Sequence, residues 1–244
     1  MNDTTGALRP SVDIIMPVLD EAVDIGRHLS QLRRCPSLNA VIVVDGGSRD
    51  GTCEIVRALI DNDASAGGVS VHLVEAPCGR ALQMNAGAAK SRADVLLFLH
   101  ADTQLPPGAI EQVREAICQG AAWGRFDTRL DGEHGVFRVI EWFMNVRSAL
   151  TRIATGDQAI FVRSDVFHML EGYAPIALME DVELCSRLKW TGQPAHIRSS
   201  VIASTRRWRA RGVVRTVMLM WSLRLLYWFG VAPATLHRLY GVSR

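Results

Sequence analysis

No stretch of this chain is apolar for the roughly 20 residues needed to cross a bilayer, and no acidic residue follows Glu183. Up to Glu183 there are 16 basic against 25 acidic residues, and beyond it 11 basic against none. Such lopsided charge points the C-terminal quarter toward an anionic partner. Nucleic acid is not expected there, because no recognition motif is present and few aromatics are interleaved with the arginines. The five cysteines are spread out with no Cys-x-x-Cys pair, which excludes a zinc site or disulfide framework and fits reduced cytoplasmic thiols. Residues 1–10 lack an apolar run beside their few charges, so the expectation is a disordered tail rather than a signal peptide. Neither a Gly-Lys-Ser/Thr phosphate loop nor a Gly-x-Gly-x-x-Gly fingerprint occurs.

What is present is an alternation of short apolar runs with amphipathic ones. Val12–Met16, Ala40–Val44, Val69–Val74 and Val95–Leu99 read as strands, with helical patterns after Asp20-Glu21, from Cys53 to Ile60 and from Gly79 to Ala89. Strand, helix, strand, helix implies an α/β fold with a doubly wound, mostly parallel sheet and helices on both faces. In such sheets ligands bind beyond the carboxyl ends of the strands. Polar residues at those ends are therefore candidates: Asp45 before Gly46-Gly47-Ser48, and Asp102 after Leu99-His100-Ala101. Asp102 fits either a hard cation, for which one carboxylate with water and substrate phosphates suffices, or a helix cap. Asp20, Glu21 and the acids Glu180, Asp181 and Glu183 suit first helical turns equally well. Arg80 opens a helix where a cation opposes the dipole, and reads as a phosphate contact.

Four motifs in order, Pro17-Val18-Leu19-Asp20-Glu21, Val44 through Thr52, Gly79 through Gly87, and Leu99-His100-Ala101-Asp102-Thr103, resemble the donor-binding half of family 2 glycosyltransferases. That resemblance implies a GT-A fold, a nucleotide-sugar donor (a UDP-sugar by family habit), a divalent cation (Mn²⁺ or Mg²⁺) and inverting transfer of one sugar to an acceptor hydroxyl. It divides the chain into a catalytic domain, 11–212, with a nucleotide-binding half (11–105) and an acceptor half (106–212), followed by a helical segment, 213–244. Pro17, Glu21, Asp45, Gly46, Asp50, Arg80, His100, Ala101 and Asp102 would line the donor site, Glu21 and Asp45 holding the nucleoside. Asp102 would be the second carboxylate of the metal motif, with His100 in place of the first; imidazole suits Mn²⁺ better than Mg²⁺, and His100 serves the ribose equally well.

On the acceptor side Gly156-Asp157-Gln158 resembles the Gly-Asp-Gln of small bacterial members, and Glu180-Asp181 their acid pair, with Asp181 as general base and Glu180 as its neighbour. Mutual repulsion and burial would raise the pKa of one of the two. Ser204-Thr205-Arg206-Arg207-Trp208 stands where processive synthases carry Gln-x-x-Arg-Trp; Arg207 and Trp208 match and Ser204 does not, which favours single transfer. Arg206 or Arg207 would neutralise the leaving diphosphate. Residues 213–240, with Trp221, Leu225, Tyr227, Trp228 and Phe229 among arginines, suit a homodimer contact or internal packing, or a helix lying on the inner face of the membrane. The rival readings are a nucleotide-sugar-binding protein without catalysis and a nucleotidyltransferase.

Overall fold

Apolar runs of four to seven residues, too short for buried helices, become the strands of one sheet. The computed structural model describes residues 9–35, 37–61, 68–206 and 212–241. In it β1 (Val12–Val18), β2 (Ala40–Asp45), β3 (Ser70–Glu75) and β4 (Val95–Phe98) run parallel in the order β3-β2-β1-β4. The predominantly apolar runs β1, β2 and β4, which carry only Asp13 and the terminal Asp45 as polar residues, are buried along nearly their whole length, as strands covered on both faces must be. β3, at the edge, is only partly buried.

The sheet continues through β7 (Phe161–Arg163), β6 (Trp123–Leu130), β8 (Ala195–Ala203) and the two-residue β5 (Thr103–Gln104). Here the ladder is mixed: β7 is inserted antiparallel between β4 and β6, β8 runs parallel to β6, and β5 antiparallel to β8. The parallel reading thus describes the first four strands, and the second half of the sheet is mixed, with only β6 and β8 parallel to each other.

Successive strand residues point to opposite faces, and each face has its own helices. Ile14, Met16, Val41, Val43 and Leu97 meet Ile25 and Leu29 of α1 (Ile25–Leu32), Val56 of α2 (Thr52–Asp61) and Ile110 of α4 (Ala109–Cys118). On the other face Ile15, Ile42, Val44 and Phe98 meet Met84 of α3 (Arg80–Lys90), Phe167 of α6 (Ser164–Met169) and Leu184 of α7 (Glu180–Leu188). The small residues of α3 are explained by close approach to the sheet. A Cβ on Gly87 would stand 2.5 Å from Ile15 Cγ2 and 2.8 Å from Val44 Cγ2.

Asp20 and Glu21 do not cap α1, which starts four residues later at Ile25. Asp20 has φ 54° and turns away, its carboxylate accepting the Arg49 N–H at 2.8 Å. The C-terminal helices α8 (Val213–Trp228) and α9 (Pro233–Tyr240) fold back on the domain. Leu223 and Leu236 are buried against Met179, just before α7, while Val213 and Val217 pack on Phe137 and Ile140 of α5 (Gly135–Thr151). No described helix is long and apolar enough to cross a membrane. Arg207, Trp208 and the expected tail at residues 1–8 lie outside the described residues.

Candidate active site

The carboxyl ends of β1, β2 and β4 form one edge. Pro17 is paired in register with Val44, and Val18 with Asp45. The buried Asp45 carboxylate accepts the Gly47 N–H at 2.8 Å and the Ser48 N–H at 3.1 Å. Burial pulls its pKa upward, but hydrogen bonds from Ser48, Gly47 and the Cys53 thiol outweigh that and hold it below the usual range. The same neighbourhood pushes Cys53 up to about 11, through burial and then the Asp45 charge.

Asp50 accepts the Ala22 N–H at 2.9 Å and both the N–H and hydroxyl of Thr52, at 3.0 and 2.5 Å. It ties the loop after β2 to the loop after β1, and the Thr52 hydroxyl is the main cause of its lowered pKa. Gln83, given no role by the sequence, clamps this edge: its buried amide donates to the carbonyls of Val18 and Val44, each at 2.8 Å. A Cβ on Gly46 would lie 3.0 Å from that amide, so the glycine lets the clamp close. Glu21 receives Arg206 at 3.1 Å; burial raises its pKa and Arg206 opposes the rise.

Beyond β4 the Thr103 N–H bonds the His100 carbonyl at 3.0 Å and closes a turn. The side chains of His100 and Asp102 therefore line different cavities. Asp102 faces a polar hollow of roughly 200 Å³ with Asp24, His28, Asp131 and Ser204, while the carbonyl of Ala101 accepts a bond from His28 Nδ1 at 2.8 Å. His100 faces a cleft of roughly 270 Å³ with Arg80, Asp157, Glu180 and Asp181. Among the described residues no three His, Cys, Asp or Glu side chains gather as a metal cage. The Asp102 carboxylate in this polar hollow still fits a hard cation that keeps its waters and binds through substrate phosphates.

Glu180 and Asp181 open α7 after Met179, whose φ of 70° turns the chain into the cleft. Asp181 Oδ2 accepts the Gly156 N–H at 2.8 Å, and its Oδ1 is buried with no partner among the described residues. Burial first, then the Glu180 charge, raises Asp181 to about 6 against the opposing effects of His100, the Gly156 N–H and Arg80. Glu180 is raised by burial and held back by Arg80. Burial disfavours the charge on Arg80, but Glu180, Asp181 and Asp157 outweigh it and keep the guanidinium charged.

His100 Nδ1 stands 3.8 Å from Asp157 Oδ1, burial and then Arg80 lower the His100 pKa, and its Nε2 is buried with no partner among the described residues. A Cβ on Gly156 would collide with that ring and stand 3.2 Å from Asp181 Oδ2, so a glycine is needed where the groups converge. Gln158 is fully buried and accepts the Thr155 N–H at 3.3 Å, which makes it scaffold for the turn.

Two cleft residues were not anticipated: Arg147 on α5 and Arg224 on α8. In the sequence Arg224 interrupts an apolar stretch, and that interruption is its one signal. The cleft walls are apolar, from Phe143 and Met144 on α5 to Val217, Met220 and Trp221 on α8.

A family model described as "Glycosyl transferase family 2" matches residues 13–173. The undecaprenyl-phosphate 4-deoxy-4-formamido-L-arabinose transferase of Pseudomonas aeruginosa (strain LESB58) is 29% identical over 136 residues, 49% of this chain and 40% of that protein. Its namesake from Aeromonas hydrophila is 33% identical over 126 residues, 49% of this chain and 36% of that protein. The match therefore spans well under half the length of these relatives. Among solved structures, mannosyltransferase PcManGT from Pyrobaculum calidifontis, in complex with GDP-Man and Mn²⁺, superposes with TM-score 0.65 at 19% identity, over 96% of this chain and 70% of that one. S. aureus TarS 1-349 in complex with UDP-GlcNAc gives TM-score 0.64 at 13% identity, over 80% of this chain and 59% of that one. At these identities the likeness shows the fold, GT-A.

Proposed function

Because the chain belongs to glycosyl transferase family 2, we propose that this glycosyltransferase moves one sugar, with inversion, from a nucleotide-sugar donor to an acceptor hydroxyl held beside Asp181. The observation that carries the reading is the buried Asp181 carboxyl, with pKa about 6 and one oxygen free toward the cleft. A base tuned close to neutral pH suits proton removal from a hydroxyl. The acceptor oxygen bonds to the anomeric carbon as its proton passes to Asp181 Oδ1. The bond from that carbon to the donor diphosphate breaks on the opposite side, and the nucleoside diphosphate leaves with the electron pair. Arg80, and Arg206 from the far side, meet the negative charge that develops.

Pro17, Glu21, Asp45, Gly46, Asp50 and Ala101 frame the nucleoside, with a UDP-sugar as the proposed donor, and His100 offers its unpartnered Nε2 to the substrate. Asp102 would hold Mn²⁺ or Mg²⁺, which would supply charge neutralisation at the diphosphate. The solved neighbours were crystallised with UDP-GlcNAc or with GDP-Man and Mn²⁺, which supports both assignments. Exposed Trp221, Leu225 and Trp228 of α8, Phe229 just after it, and Trp142 and Phe143 exposed on α5, together with the lack of acids beyond Glu183, support seating on an anionic membrane surface. Relatives whose names include undecaprenyl phosphate are consistent with that placement.

The test is incubation with UDP-, GDP- and dTDP-sugars, with and without Mn²⁺, following donor binding and nucleoside diphosphate release. Metal-dependent binding of one donor with release abolished in Asp181→Asn supports the reading. Binding without release would favour a non-catalytic binder, and pyrophosphate release from a nucleoside triphosphate would favour a nucleotidyltransferase. Co-sedimentation with anionic vesicles tests the membrane contact; a stable dimer in solution that leaves vesicles unbound would assign the face to a second copy.

A further inference from the structure

The cleft holds more positive charge than proton transfer or the leaving diphosphate requires, and the excess is Arg147 and Arg224. Arg80 faces the acid pair Glu180 and Asp181. Arg147 and Arg224 reach in from α5 and α8, the two helices that also supply the apolar walls. Arg147 gives one hydrogen bond, from Nη1 to the Ile153 carbonyl at 3.1 Å, and its Nη2 is buried with no partner among the described residues. Arg147 is brought down to about 9, by burial first and then by the Arg224 charge, and Arg224 is itself lowered by burial. The groups facing Arg224 that favour its charge are Asp157 and Asp181, and an ionised Asp181 is itself disfavoured there. Two mutually repelling, partly buried cations with an open donor call for an anion between them.

Resting on the reading of this cleft as the acceptor site, we infer that Arg147 and Arg224 form an anion subsite, and that the acceptor is an amphiphile whose anionic group of phosphate type binds there while its apolar part lies along Phe143, Met144, Val217, Met220 and Trp221. The anion is an anchor, and the attacking hydroxyl is presented to Asp181 on the same molecule. An uncharged sugar acceptor would leave both the cations and the apolar walls unmatched, and a small hydrophilic anion would leave the walls wet. The amphiphile matches both halves of the cleft.

Trp221 lines the cleft, so ligand entry is followed by tryptophan fluorescence. Octyl phosphate below its micellar concentration, octanol and inorganic phosphate are titrated into the full chain. Octyl phosphate is expected to bind at least 10-fold more tightly than either of the others, and Arg147→Gln and Arg224→Gln to weaken it about 10-fold each. Arg147→Lys, keeping the charge, is expected to recover part of the affinity. Donor binding by thermal shift is measured in every variant and establishes that each is folded. If donor binds normally but octyl phosphate and octanol bind alike, indifferent to both arginines, the anion subsite is wrong and the sugar-transfer reading stands. If inorganic phosphate binds as tightly as octyl phosphate, the ligand is a small soluble anion and the amphiphile is wrong. If no nucleotide sugar binds the folded protein, the sugar-transfer reading itself fails.

Discussion

The strand-end edge proposed for the donor and the cleft proposed for the acceptor are built from the same kinds of residue, carboxylates beside glycines, yet they treat polar atoms in opposite ways. At the donor edge Asp45 and Asp50 are bound up by neighbouring N–H and hydroxyl groups, and both are held below the usual carboxylate pKa. In the cleft Asp181 Oδ1, His100 Nε2 and Arg147 Nη2 are buried without partners, and Asp181 is raised to about 6. Leaving a buried polar atom unsatisfied costs about 1–3 kcal/mol. That cost is tolerable where substrate supplies the missing partner, so the unpartnered atoms of the cleft are the ones left open to a ligand.

The sharpest way to break this contrast is Asp181→Asn. The amide oxygen still accepts the Gly156 N–H, so the fold should persist, while transfer should drop about 10²–10⁴-fold through loss of the base. The wild-type rate should fall as pH drops through about 6. Stability should move the other way. The folded pKa lies above the unfolded value of about 3.9, so ionisation of Asp181 destabilises the fold as pH rises from about 4 to about 6. Asn removes that penalty, and a thermal midpoint at pH 8 equal to or above wild type is expected. A variant that unfolds instead would make Asp181 scaffold after all.

Gly156→Ala comes next, since its Cβ would collide with the His100 ring and crowd Asp181. A displacement of about 1 Å at reacting groups costs about 10²-fold in rate. Steady-state kinetics should show kcat reduced with donor affinity kept; unchanged kcat would mean that His100 and Asp181 need not be held together.

The same contrast explains what could be read without a structure. The donor edge lies in contiguous stretches such as Val44 through Thr52 and Leu99 through Thr103, where apolar period and glycine loops are local properties. The cleft draws Arg80, His100, Arg147, Asp181 and Arg224 from five separate stretches, and only tertiary packing brings them together. Residue types at helix starts suggested Arg80 and Asp181, but Arg147 and Arg224 carry no spacing signal. Sequence nearness also misled: His100 and Asp102 look like paired ligands, yet the turn closed by Thr103 N–H sends them into different cavities.

A smaller effect is expected at the donor edge itself. Gln83→Met keeps the volume and removes the two amide bonds to the Val18 and Val44 carbonyls, which should cost about 1–3 kcal/mol in urea unfolding. Donor affinity should fall with it because Gly46 and Asp45 rest on that clamp. Loss of stability with unchanged donor binding would detach the clamp from the site.

The smallest effect belongs to Arg206→Ala. Its side chain is 56% exposed, and its bond to Glu21 is 3.1 Å long. An ion pair so open to water is worth about 0–1 kcal/mol and should vanish in about 1 M salt. Arg206 is also the chief influence opposing the burial-driven rise of Glu21, so its removal should raise the Glu21 pKa further and leave donor affinity more sensitive to mild acid. Urea unfolding at low and high salt, beside donor titrations at two pH values, separates the two consequences. A stability loss well above 1 kcal/mol that survives salt would make the Glu21 pair a structural clamp like Gln83. A negligible loss with weakened donor binding would instead place Arg206 among the groups that hold the donor.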